Sequence, residues 1–103
     1  SRVQGVQIAE EVLQLNPGNV RALYMGANGL VALGGYENRK KGIEWLNRAF
    51  TLEPDDPMLL YNAGCIYALC EMIDEASRAM ALVVTARGRV AGMTRTTTFT
   101  PPN

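Results

Sequence analysis

A chain of 103 residues, 48% hydrophobic and 19% charged, has room for one domain and one core, and its composition is globular rather than disordered. Ten basic and ten acidic residues cancel to a net charge of zero, leaving no bulk charge to draw the chain to nucleic acid or to a membrane surface. Apolar stretches such as residues 79–84 are far short of the roughly 20 residues a membrane-spanning helix needs, and residues 1–7 are no signal peptide, so the chain reads as soluble and cytoplasmic.

The elements predicted in chain order are five helices. The first, near 3–15, ends in Leu15-Asn16-Pro17, where proline stops one helix and Asn19 is placed to cap the next. The second covers 19–33 and runs into Gly34-Gly35, a pair suited to a tight turn with left-handed backbone. The third covers 37–52 and ends in Leu52-Glu53-Pro54. Asp56 is then an N-cap and Pro57 a first helical residue, where its missing N–H is no loss. The fourth and fifth are expected at 57–70 and 73–86, with Glu71-Met72 between them. Residues 87–103, with arginines, a threonine run and two prolines, read as a basic tail, extended or disordered, so the domain division falls at 86/87. Within that tail Phe99 is the one bulky aromatic able to anchor it in a groove.

An internal repeat underlies this order. Leu23-Tyr24-Met25-Gly26 aligns with Tyr61-Asn62-Ala63-Gly64 at an offset of 38, so the second and fourth helices are equivalent. Residues 8–17 align with 45–54 at an offset of 37, which makes the first and third equivalent. A third copy at an offset of 34 carries Gly42 onto Ala76, Trp45 onto Ala79, Leu46 onto Met80 and Ala49 onto Val83. Small residues at Gly26, Gly42, Gly64 and Ala76 would let paired antiparallel helices approach closely.

Leu60-x-x-x-Gly64-x-x-Tyr67, with Ala76, Met80 and the Leu52-Glu53-Pro54 ending, resembles the tetratricopeptide repeat, and the resemblance covers residues 3–86. It implies an all-α fold, an α-α superhelix of about two and a half repeats, followed by the irregular tail. Four extra residues around 34–41 depart from the pattern. So does Gly29, where the family has a tyrosine and where a looser helix pair is expected. So do Glu71-Met72, in place of a turn glycine.

In the family the first helices of each pair line a concave groove that holds a peptide. The resemblance therefore nominates Val20, Leu23, Tyr24, Ala27, Leu30 and Val31 with Met58, Tyr61, Asn62, Cys65 and Leu69. Asn62 falls where family members grip a ligand backbone, but the basic residues that clamp a terminal carboxylate are replaced by Val20, Leu23, Met58 and Tyr61. An apolar protein or peptide segment is the expected ligand, and the function a non-catalytic interaction module. The repeat begins inside a pair and lacks a polar capping helix, so open apolar surface is expected, with a homodimer that buries or exchanges an end helix. The alternative is a fragment of a multidomain bacterial signalling protein, like those whose repeat arrays follow an effector domain, with repeats or tail serving regulation or oligomerisation.

Other chemistry finds little footing. With no histidine, and with Cys65 and Cys70 some 140° apart on one helix, neither a metal site nor a disulfide between them is expected, and no cofactor is implied. The carboxylates Glu10-Glu11, Asp55-Asp56 and Asp74-Glu75 sit at surface or capping positions, which argues against an enzyme. Arg39-Lys40-Lys41 reads as a solvated helix face rather than a nucleic-acid patch. Trp45 reads as core, and Tyr36 as a cover for the core at the turn.

Overall fold

The computed structural model describes the backbone of residues 1–98 and 102 and the side chains of residues 1–93 and 102; Phe99 lies outside these. The described residues form helices joined by short connections, with no strand among them, so the fold is all-α. Four helices follow in order: α1 Arg2–Leu15, α2 Val20–Leu33, α3 Tyr36–Leu52 and α4 Pro57–Thr98. The chain divides into two compact units, Ser1–Cys70 and Glu71–Asn103.

The punctuation acts as the sequence suggests. Ser1 opens α1 with a capping box: its Oγ accepts from the Gln4 backbone N–H and its amino group donates to Gln4 Oε1. Asn16 Oδ1 accepts from Gly18 N at 3.2 Å, and Asn19 Oδ1 accepts from Ala22 N at 2.9 Å to start α2. Gly34 and Gly35 then take φ of 87° and 89°, which side chains rarely adopt, and turn the chain into α3.

Asp56 caps α4, accepting from Leu59 N at 3.0 Å and Met58 N at 2.8 Å. These bonds, that from Leu59 foremost, hold its carboxyl below the usual aspartate range. A depressed folded pKa contributes stability that is present above the unfolded value and lost as pH falls through the folded one. Wild type should therefore lose unfolding midpoint relative to Asp56→Asn, a cap without a titrating proton, once pH drops below about 4. Urea titrations at several acidic pH values check this; parallel profiles would contradict it.

The core of the first unit is built around α2, which presents Leu23, Tyr24, Ala27, Leu30 and Val31 to the interior. Gly26 is the point of tightest approach: a Cβ there would run into the Trp45 ring of α3 and come 2.9 Å from the Ala9 Cβ of α1. A Cβ on Gly42 would lie 3.0 Å from the Ala27 carbonyl oxygen. At the far end of the pair, Arg48 donates to the Pro17 carbonyl at 3.2 Å. These pairings run in opposite senses along the two helices, so α2 and α3 are antiparallel and nearly backbone to backbone. Small residues at the crossing permit this spacing. Trp45, Leu46 and Ala49 fill the space beside it, and Trp45 is core as its place in the repeat implies.

Several expectations change. Gly29 faces α1 rather than α3; a Cβ there would meet Val6 of α1 at 2.8 Å, so the missing side chain lets α1 come near. Tyr36 is exposed at the first position of α3 instead of covering the core. The fourth and fifth predicted helices are one, because Glu71-Met72 holds neither glycine nor proline and both residues favour helix. Residues 87–98, expected to be extended or disordered, are the helical end of α4. Gly88 and Gly92 each cost a helix only about 1 kcal/mol relative to alanine, and the next proline after Pro57 is Pro101.

Candidate functional site: the outer face of α4

In the first unit, α4 is held by one face. Leu59, Ala63 and Ile66 recur at helical spacing and are fully or almost fully buried. Arg39 of α3 donates to the Cys70 carbonyl at 3.4 Å, fastening the end of this stretch. Met58, Tyr61, Cys65 and Ala68 fall on the other side of the same helix and are exposed, Tyr61 by 67%. Gly64 lies between them, and among the described residues nothing comes within 4 Å of where a Cβ would stand. The result is an apolar strip, bulky at Met58 and Tyr61 and small from Gly64 to Ala68, on a helix whose inner face is locked in the core.

The eleven nominated groove residues separate into two groups. Val20, Leu23, Tyr24, Ala27, Leu30 and Val31 are all buried, because α1 and α3 both close on α2, and they form core rather than an open groove. Met58, Tyr61 and Cys65 are open, while Asn62 and Leu69 are half-buried. The Asn62 amide donates to its own Met58 carbonyl at 2.7 Å, so one of its hydrogen-bonding groups is turned onto the helix.

Two further apolar surfaces lie on the end helices, where the missing caps imply open apolar surface, at residues that were not nominated from the sequence. A shallow cleft of about 340 Å³ between α1 and α2 is lined by Gly5, Ile8, Val12, Ala22 and Met25 among others. The offset of 37 could have found it, since Gly5 and Ile8 correspond to Gly42 and Trp45, which form the α3 face that α2 covers. The second unit, taken by itself, exposes Met72, Met80, Leu82, Val83 and Val84 along one helix. Here the offset of 34 was the signal, because Met80 and Val83 correspond to the buried Leu46 and Ala49.

Electrostatics add little chemistry at these faces. Lys41 pairs with Glu10 at 3.1 Å, both about half exposed, and its ammonium lies 5.2 Å from the Trp45 ring centre. With Arg39 on the Cys70 carbonyl, two members of the basic run are engaged within the fold. Cys65 and Cys70 are free thiols. Among the described residues no group of histidine, cysteine or acidic side chains is placed to hold a metal, and no helix is long and apolar enough to cross a membrane. Comparison of the chain with family models, with curated proteins and with solved structures finds no match in any of the three.

Proposed function

We propose that this chain is a non-catalytic protein-interaction module of the tetratricopeptide type, which takes an apolar peptide or protein segment on the outer face of α4. The observation that carries this reading is the strip of Met58, Tyr61, Gly64, Cys65 and Ala68, uncovered on a helix whose opposite face is fixed in the core. A rigid apolar helix face gives a partner area without an ordering cost to the module. The close glycine crossing of α2 on α3 supports the repeat assignment, since it places small residues where the repeat has them. The exposed apolar residues of the second unit support self-association as part of the same activity. They equally suit the alternative of an oligomerising segment within a larger bacterial signalling protein. A cytoplasmic setting agrees with two free thiols.

A benzophenone amino acid in place of Tyr61 tests the reading. On irradiation in an extract of the host, position 61 should give polypeptide adducts, whether to another protein or to a second copy. The same group in place of the exposed Lys40 of α3 should give few. Equal yields at the two positions would remove the α4 face from consideration.

A further inference from the structure

The packed contact between α2 and α3 has a second copy in the sequence, and the residues of both its halves are exposed among the described residues. An offset of 38 carries Gly26 and Ala27 of α2 onto Gly64 and Cys65, and an offset of 34 carries Gly42 and Trp45 of α3 onto Ala76 and Ala79. In the first copy Gly26 meets Trp45 and Gly42 meets Ala27. In the second, Gly64 meets nothing, Cys65 is exposed, and Ala76 and Ala79 are exposed. Both halves are carried on one helix, α4, from Pro57 to Thr98.

We propose that the contact is made between two copies of the chain: residues 76–86 of one lie antiparallel on the Tyr61, Gly64, Cys65 and Ala68 face of the other, in the register α3 takes on α2, and reciprocally about a two-fold axis. This rests on the reading of the α4 face as a protein-binding surface and names its occupant. Residues 61, 65 and 68 share one helix face, as do 76, 79 and 83, so each strip matches the other in spacing. Small residues stand on both sides of the crossing, Gly64 and Cys65 against Ala76 and Ala79. Tyr61 and Met80 supply the bulk that Leu23 and Leu46 supply in the first copy.

Charge agrees with this register. Within the chain, Leu52 at the end of α3 reaches Gly18, just ahead of α2. The equivalent residues are Ala86 and Asp56, so Arg87 and Arg89 of one copy arrive beside Asp55 and Glu53 of the other. Residues 78–103 carry four arginines and no acid, while 53–56 carry three acids and no base. The cleft at Gly5 and Ile8 on α1 is the rival occupant and would build a head-to-tail array. At the positions equivalent to Arg87 and Arg89 it brings Asn16 and Gly18, which carry no charge, and it leaves Met80 and Val83 uncovered.

Disulfide trapping in the full chain decides the matter. In a Cys70→Ala background, Ala76→Cys should oxidise with Cys65 of a second copy under copper phenanthroline to a covalent dimer, at protein concentrations where untreated protein sediments as a dimer. Ile8→Cys in the same background should yield far less. Arg87→Glu combined with Arg89→Glu should weaken dimerisation about tenfold at low salt and less at high salt, with helix content unchanged. A disulfide inside a monomer, efficient trapping at Ile8→Cys, or a wild type that sediments as a monomer at high micromolar concentration would each overturn the proposal. If the protein is monomeric while benzophenone at position 61 still captures another polypeptide, this pairing fails and the binding role stands. If position 61 captures nothing, both fail.

Discussion

Leu46→Ala will lower the unfolding free energy by about 3 kcal/mol, whereas Met80→Ala at the equivalent position one repeat later will change it by less than about 0.5 kcal/mol. Leu46 is fully buried among α2 and α3, so truncation removes its burial and leaves a cavity that helices held by glycine crossings are slow to collapse into. Met80 is 63% exposed and loses little on truncation. For a chain of this size a loss of that order is a large part of the total stability, so Leu46→Ala should be partly unfolded near body temperature. Urea denaturation followed by circular dichroism, at dilutions where the protein is monomeric, measures both. Equal losses would mean that residues around Met80 are packed within the chain after all.

Gly26→Ala and Gly64→Ala form the second matched pair and should move in opposite directions. Each gains about 1 kcal/mol of helix propensity from the added methyl. At Gly64 nothing opposes that gain, so stability of the monomer should rise. At Gly26 the new Cβ meets the Trp45 ring and Ala9, neither of which is the free end of a flexible chain, and the overpacking of about 1–3 kcal/mol outweighs the gain. The two variants should therefore differ by about 1–3 kcal/mol in unfolding experiments on dilute protein, with Gly26→Ala the less stable. A Gly26→Ala variant as stable as Gly64→Ala would mean that α2 and α3 do not cross where the structure has them.

These pairs also show what could be read in advance. The ends of α1, α2 and α3 were legible to within a residue, because Pro17, Asn19, Gly34, Gly35, Asp56 and Pro57 act through local geometry that needs no tertiary context. The Gly26 and Gly42 crossing was legible because close helix approach requires small residues wherever it occurs. The sequence misled where repeat logic outran local chemistry. Glu71 and Met72 occupy a turn position in the pattern but are helix formers, and the chain follows the residues rather than the pattern.

The candidate site was half legible for a related reason. First-helix positions of a repeat are expected to line an open groove, and for Met58, Tyr61 and Cys65 they are open. Leu23, Ala27 and Val31 follow the same spacing, yet α2 has a helix on each side and they become core. Periodicity marks which face is apolar, but not whether a neighbour covers it. That depends on the elements packed beside it, which no single side chain announces.

The dimer contact proposed for α4 therefore turns on whether the helix passes unbroken through Glu71 and Met72. Backbone Cα chemical shifts across residues 66–78, measured by NMR on the full chain, report it residue by residue. Continuous helical shifts are expected through 71 and 72. A return to coil values at those two residues, with helical shifts on both sides, would mean that the fifth helix exists, and would contradict the proposed contact.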